Sequence, residues 1–333
     1  MSLRSFIKKS ILTSFEIVGL NAFLRKHSKT PIVLFWHGVS VHPDIIVEGE
    51  SFPASLFERQ VKYLVRYYEV ISMDEFYKRF TNNCFTNKEV VITFDDGLKN
   101  NLTVAAPILK KYKLPFTVFV SAQNVEEQKR FYITIPRLII IGAELSEVEI
   151  PSMNYKRKIN SLQERIMCAR EIEYEIKYYS HEKANLIAAE LIESIGATRY
   201  EELCSKYSNG DLLTWDDVKE LTEHYECTIG SHCLDHCICH SAQDAIVIEE
   251  QLIKSKSLIE DKIGIPCNYF AYPNGNFTDE SNEIVLKNYK MGFSTLVNTI
   301  YSKNTNISCV WRMGVPCDML EFKFFLSKIN LNS

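Results

Sequence analysis

No uncharged apolar run in the 333 residues approaches the roughly 20 needed to cross a bilayer, so a membrane-spanning helix is not expected. Neither charge is in excess. Lys and Arg number 38 against 42 Asp and Glu, a net charge of −4, and no dense basic stripe is interleaved with aromatics, so nucleic acid is not an expected partner. Internal repeats and low-complexity tracts are also absent. Ten cysteines are too sparse for a disulfide scaffold, and no small-residue cleavage site follows the N-terminal apolar stretch, so the thiols are expected reduced and the chain cytoplasmic. That stretch is basic at Arg4, Lys8 and Lys9 and apolar at Ile11, Leu12, Phe15, Ile17, Val18 and Leu20, with Glu16 interrupting it. It reads as a helical segment over residues 1–30. Either it packs on the domain or, through residues 3–24, it lies as an amphipathic helix on the inner membrane face.

What remains is ordinary globular material, 46% hydrophobic and 24% charged. Short apolar runs at 32–36, 90–94, 116–120, 227–230 and 269–272, with weaker ones at 292–295 and 307–311, read as buried strands. Amphipathic stretches at 55–68, 101–112, 214–224, 245–263 and 279–290 fall between them. The class is therefore α/β, with parallel strands joined by helical crossovers. In 245–263 the apolar residues Ile248, Leu252, Ile259 and Ile263 share one helical face, and Gly264 with Pro266 supplies the stop. From about 125 to 210 this rhythm breaks. Charged helical patterns at 161–177, 181–195 and 199–207 follow one another with no strand between them, which indicates a helical insertion after the third strand. Setting it aside leaves about 250 residues, the usual size of a single α/β barrel, spanning 31–330.

Chemistry-bearing residues gather where the strands end. Thr93-Phe94-Asp95-Asp96-Gly97 places two carboxylates at the C-terminal edge of a strand, where α/β folds bind ligands. Adjacent carboxylates repel unless a cation or proton intervenes, which suits one as a metal ligand and the other as a base; an Asp-Asp-Gly turn with Asp96 capping a helix has the same sequence. Ser231-His232-Cys233-Leu234-Asp235-His236 also follows a strand. Its four-residue spacing turns both imidazoles to one metal if the segment opens a helix, and two histidines with a distant carboxylate leave positions open for water and substrate. Phe270-Ala271-Tyr272-Pro273-Asn274-Gly275 ends a further strand in a turn that can aim backbone N–H groups at an oxyanion. His37, in Phe35-Trp36-His37-Gly38-Val39, ends the first strand.

These segments resemble the motifs of the polysaccharide deacetylase family, the NodB-homology enzymes of carbohydrate esterase family 4. TFDDG at 93–97 is similar to the first motif, SHCLDH at 231–236 to the second, Ser-His-x-x-x-His, and FAYPNG at 270–275 to a variant of the third. LTWDDV at 213–218 looks like the segment that often precedes the His motif. The resemblance runs from about 32 to 316, interrupted by the insertion. It implies a distorted (β/α)7 barrel and a hydrolase that removes N-acetyl groups from a carbohydrate or sugar conjugate. It also implies Asp95 as general base, Asp96, His232 and His236 as ligands of a divalent metal, and Asn274 as the backbone donor of an oxyanion hole. Two departures stand out. Cys267 and Asn268 occupy the place where an Arg often opens the third motif, which makes Arg312 the candidate brace of the catalytic Asp. No His follows His240, so the C-terminal Leu-x-His motif is missing. Some members with a permuted arrangement carry this His near the N-terminus, and FWHGV resembles their segment. His27 and His42 lie off the strand and His181 and His224 in helical patterns, so His37 is the expected general acid, a free imidazole's pKa of about 6.5 being suited to proton donation.

Mixed N and O ligands fit Zn²⁺ first, with Co²⁺, Ni²⁺ or Fe²⁺ compatible. The expected substrate is an N-acetylated sugar, an oligosaccharide or a lipid-linked glycan. Three alternatives use the same residues differently: an O-acetyl esterase, a sugar-binding barrel without turnover, and a structural zinc site built from Cys227, Cys233, Cys237 and Cys239 beside His232, His236 and His240. The insertion leaves the rim that bears the site, so it is expected to wall the cleft, an oligomer interface being the other reading.

Overall fold

The computed structural model describes residues 3–26, 31–49, 51–86, 88–295 and 305–328. His27 and residues 28–30 of the expected N-terminal segment lie outside them. Nine parallel strands form the main sheet: β1 (Ile32–Trp36), β2 (Glu69–Val70), β3 (Glu89–Phe94), β4 (Phe116–Val120), β5 (Cys227–Ser231), β6 (Tyr269–Ala271), β7 (Met291–Ser294), β8 (Val310–Trp311) and β9 (Met313–Gly314). Their spatial order is β8-β7-β6-β5-β4-β3-β1-β9, with β2 pairing the start of β3. Helices Ala54–Tyr67, Trp215–His224, Ala245–Ile263 and Asp279–Asn288 are crossovers, as their periodicity predicts.

The last stave is split at Arg312. Its N–H donates to the Ser294 carbonyl at 2.8 Å beside the β8–β7 pairing, whereas β9 pairs with β1 and the Val315 N–H donates to the Phe35 carbonyl at 3.3 Å. The chain thus joins the two ends of the sheet through one residue. With β8 and β9 taken as one stave and the short β2 left aside, nine strands make seven staves, the distorted (β/α)7 barrel.

Alternation along the staves sorts the core. Ile32, Leu34, Val90, Ile92 and Val118 pack outward on the crossover helices. Val33, Val91, Phe119, Tyr269 and Phe293 form an inner cluster with Met73 and Phe76 of helix Met73–Asn82, which plugs the end where the strands begin. The opposite end, where the strands finish, is left to chemistry.

The insertion is a second unit of packing. Its helices Ile135–Ile140, Leu162–Ile176, His181–Ile195 and Ala197–Lys206 enclose a cluster that includes Ile139, Ile172, Ile187 and Leu203, separate from the barrel clusters. It is not purely helical. An antiparallel hairpin, Glu147–Ile150 with Tyr155–Lys158, precedes the long helices. It points Val148 and Ile150 into the cluster and sets Glu147 opposite Lys158 and Glu149 opposite Lys156. Cross-strand charge pairing on the outer face and two buried aliphatics on the inner face suffice for so short a pair.

Helices Leu3–Ile17 and Leu20–Lys26 pack on the C-terminal helix Met319–Lys328. Phe15 and Phe324 stand 5.6 Å apart, Glu16 pairs with Lys323, and the Ser327 hydroxyl donates to Asn21 Oδ1 at 3.2 Å. The segment is therefore docked on the domain, and no helix among the described residues is long and apolar enough to cross a membrane.

Candidate active site

At the end of β3 the backbone turns through two left-handed residues, Asp96 (φ 74°) and Gly97 (φ 75°). Asp tolerates this conformation better than most side chains, and a Cβ at Gly97 would come within 2.9 Å of Val120 Cγ1. The turn throws Asp95 and Asp96 to different places. Asp95 points into the barrel mouth and Asp96 across it. LTWDDV braces the turn from outside: the Leu213 N–H donates to the Gly97 carbonyl at 2.9 Å, Leu212 bridges to Leu98, and Thr214 closes a capping box with Asp217, whose carboxylate also pairs with Lys99 at 2.5 Å.

The His motif does not open a helix. After β5 the chain forms a compact turn in which Cys233 (φ 64°) and His236 (φ 62°) are left-handed, and this geometry, rather than helical spacing, brings the imidazoles together. Ser121 Oγ donates to the His232 carbonyl, Gln251 Oε1 accepts from the Leu234 and Asp235 N–H groups, and Tyr132 Oη donates to the His236 carbonyl. The rings face Asp96 Oδ1 from His232 Nε2 at 3.6 Å and His236 Nε2 at 3.4 Å. His232 Nδ1 lies 2.7 Å from the Ala271 carbonyl, which only accepts, so Nδ1 carries the proton and Nε2 keeps its lone pair.

Donors about 2.1 Å from an ion at a tetrahedral angle stand about 3.4 Å apart, so this spacing fits a divalent cation, and the carbonyl-oriented imidazole is the usual companion of such a ligand. Burial lowers His232 to about 4 and His236 well below its ordinary value; the neutral, ligating form is favoured. Among the described residues this is the group of three donors able to hold a metal. The cysteines form no such group. Cys233, Cys237 and Cys239 are fully buried beneath the His turn, with Cys233 and Cys239 Sγ 3.9 Å apart and burial pushing the Cys233 and Cys237 thiols up, and Cys227 lies in β5. A structural zinc site is not what the thiols build.

Arg312 is the brace. Its guanidinium grips Asp95 bidentately at 2.7 and 2.8 Å, reaches Thr93 Oγ1 at 3.1 Å, and lies between the Phe35 and Phe119 rings, 5.0 and 5.1 Å from their centroids. Both partners are buried, Arg312 at 1% and Asp95 at 3% exposure. Burial alone would raise the Asp95 pKa, but the charges of Arg312 and, less, His232 overcome it and hold the carboxyl at about 2. The Arg absent before the third motif is thus supplied from the barrel seam.

His37 lies half-buried at the mouth. Its ring is set edge-on to Phe35 and its carbonyl accepts from Asn101 Nδ2 at 2.8 Å. Asn101 begins a π-helical turn, and the neighbouring Asn100 accepts from the Val39 N–H; a Cβ at Gly38 would come within 2.9 Å of Asn100 Nδ2. Asn274 has φ 56°, and the two bonds of its turn are donated by Gly275 and Asn276, so the Asn274 N–H takes no part in them.

Asp95, Asp96, His37, His232, His236 and Asn274 all line one cleft of about 320 Å³. Sequence reasoning expected the insertion to wall the cleft but named none of the residues it contributes there, Phe131, Arg137, Leu138, Glu173 and Lys177. Arg137 pairs bidentately with Glu173 at 2.8 and 2.6 Å, and Lys177 Nζ donates to Asn274 Oδ1 at 3.1 Å. Charged residues on amphipathic helices read as solvated surface, and only the fold turns this face to the barrel.

A family profile described as polysaccharide deacetylase matches residues 82–292. No curated protein matches the sequence. Among solved structures the chain is similar to a Streptococcus pyogenes deacetylase, PplD, in complex with acetate (18% identity, TM-score 0.60, covering 90% of this chain and 98% of that one). It is also similar to IcaB from Ammonifex degensii (18%, 0.57, 90% and 97%) and to a de-N-acetylase from Aggregatibacter actinomycetemcomitans (16%, 0.52, 87% and 97%). At these identities the likeness speaks for the barrel. The profile, which spans the TFDDG turn, the His turn and the third motif, speaks for the lineage: the chain belongs to the polysaccharide deacetylase family, metal-dependent hydrolases of N-acetyl groups on carbohydrates.

Proposed function

We propose that the cleft removes the N-acetyl group from a sugar within an oligosaccharide or lipid-linked glycan, with Asp96, His232 and His236 holding Zn²⁺. The observation that supports this best is the convergence of three donor atoms within 4.8 Å beside an ionised, braced carboxylate. When bound, the cation supplies Lewis acidity to the acetyl carbonyl and to water. Asp95 takes the proton from the attacking water; its two bonds to Arg312 fix the carboxylate in the mouth. The Asn274 N–H donates to the oxygen that gains negative charge as the C–O bond forms. An amide nitrogen leaves only when protonated, so His37 delivers a proton to it, the C–N bond breaks, and acetate and a free amine result. Ile17 and Phe23 on the N-terminal helices and Val18 in the turn between them are exposed, which supports contact with a membrane surface, where a lipid-linked glycan would be met; we place the enzyme at the inner, cytoplasmic face.

The test is acetate release from N-acetylated sugars and from an activated acetyl ester, with bound metal read by elemental analysis. Asp95→Asn should keep the metal and lose roughly 10²- to 10⁴-fold in rate. His37→Ala should lose far more on the amide than on the ester. Equal losses on both would remove His37 from the acid role, and wild-type turnover by Asp95→Asn would remove Asp95 as base.

A further inference from the structure

Most charges on the cleft wall are already answered. Asp95 pairs with Arg312, Arg137 with Glu173 and Arg130 with Asp211, Asp96 faces the two imidazoles, and the Glu48 carboxylate accepts from the Asn209 N–H and Nδ2. Lys177 is the exception. It forms no ion pair among the described residues, and the bond described for its ammonium goes to a neutral acceptor, Asn274 Oδ1, at 3.1 Å. An ammonium carries three donors, so most of its capacity is left for a ligand. Its direction points the same way. Lys177 is the C-cap of the helix Leu162–Ile176, a place from which a lysine ordinarily answers the last carbonyls of its own helix. Here Nζ leaves the helix end for the third motif, and the Asn274 amide that receives it is held on its other side by Asn276 Oδ1 at 2.6 Å. A half-buried positive charge without a counter-ion thus stands at the rim, one side chain from the backbone N–H assigned to the oxyanion.

We infer that Lys177 is a specificity-determining residue that reads an anionic substituent, a phosphate or a carboxylate, carried by the acetamido sugar. This rests on the deacetylase reading and adds to it a charge requirement on the substrate. A bond from an ammonium to an anion is stronger than one to an amide or hydroxyl oxygen, so a neutral sugar leaves most of what Lys177 offers unused. The acid without a cationic partner does not satisfy it. Glu48 belongs to the loop after β1 and Asn274 to the turn after β6, staves on opposite sides of the ring, and the Glu48 carboxylate is engaged by Asn209. An anion beside Lys177 therefore meets a positive wall and no carboxylate that lacks its own partner. Lys177 touches neither the acetyl carbon nor the metal ligands; it sets which acetamido sugars are held.

The test is calorimetric titration of the metal-loaded Asp95→Asn protein with N-acetylglucosamine, its 1-phosphate, its 6-phosphate and 2-acetamido-2-deoxyglucuronic acid, arms that separate phosphate from carboxylate. At least one of the anionic sugars should bind about tenfold more tightly than the neutral one. Lys177→Met should remove most of that advantage and leave the affinity for N-acetylglucosamine within about twofold, whereas Lys177→Arg should keep it. Lys177→Gln serves as a second uncharged variant, and melting curves check that each is folded. Asp95→Asn also frees the Arg312 charge, so the deciding quantity is the change on Lys177→Met within this background. Equal affinity for neutral and anionic sugars overturns the inference. An advantage that survives in both uncharged variants overturns it too, by putting the anion on the metal or on Arg312, and an equal loss on all four ligands makes Lys177 a prop for Asn274 instead. Acetate release by the wild-type chain is scored separately. A charge preference in binding without release from any of these sugars leaves the Lys177 site standing and removes the deacetylase reading; release without the preference does the reverse.

Discussion

The barrel and the insertion both end at the same cleft, yet their sequences are constrained in different ways. In the barrel, chemistry fixes residue identity. Asp96 is left-handed, His232 is tied to a carbonyl, and Asp95 is locked to Arg312, so few substitutions keep both the turn and its function. In the insertion, packing fixes only pattern. Ile139, Ile172 and Ile187 need to be apolar and of suitable volume, and the residues that face the cleft need only be carried there. The motifs are thus written in the unit whose fold recurs among known deacetylases, and the outer wall of the cleft in the unit grown between two of its staves.

The largest expected effect breaks the barrel side alone. Asp96→Ala, His232→Ala or His236→Ala should each strip the metal on dialysis and lower acetate release by roughly a thousandfold or more, while the insertion keeps its protease resistance. If a ligand variant also loosened the insertion, the two units would not be separable in this way.

A smaller effect probes the brace. Arg312→Met leaves a buried carboxylate without its counter-ion and should cost about 3 to 5 kcal/mol in urea unfolding at neutral pH. The penalty depends on pH with a definite sign. The folded Asp95 pKa, about 2, lies below its ordinary 3.8, so the pair stabilises the fold above pH 3.8 and the gain fades as pH falls toward 2. Wild-type and Arg312→Met stabilities should therefore converge in acid. A constant difference from pH 7 to pH 2 would mean that Arg312 acts through packing between Phe35 and Phe119 instead of through charge.

The smallest belongs to the insertion. Ile139→Ala empties a fully buried site and should destabilise that unit by about 2 to 5 kcal/mol. A separate early transition by tryptic cleavage, with metal still bound, would sharpen the comparison. A single transition that releases the metal would show that the insertion and the rim fold together, through Tyr132 on His236 and His181 on Asp235.

Much of the barrel was legible because buried parallel strands are short apolar runs and their ends carry the polar motifs. The β8–β9 seam was only half visible: 307–311 reads as a strand, but nothing local says that Met313–Gly314 pairs with a stave some 280 residues earlier, a relation set by closure. The hairpin at 147–158 was missed because two aliphatics in four residues are too few for a period to show against charged neighbours. His232 and His236 do come together, but by a different geometry from the one expected. Their spacing suits a helix, whereas the convergence comes from left-handed turns at Cys233 and His236, which no periodicity reports. Arg312 is suggested in the sequence only as a substitute for the Arg missing at the third motif; its bidentate grip is a contact across 217 residues.

Because Arg312 both closes the ring and neutralises Asp95, the order of synthesis matters. On the ribosome, Asp95 emerges more than 200 residues ahead of its counter-ion, and until β8 and β9 follow, the nascent chain has a sheet with two free edges and a carboxylate that favours water over burial. The same electrostatics that later fix Asp95 therefore oppose premature collapse of the mouth. A chain stalled before residue 312 would carry Asp96, His232 and His236 but no counter-ion for Asp95, so closure of the ring and neutralisation of that carboxylate are one event.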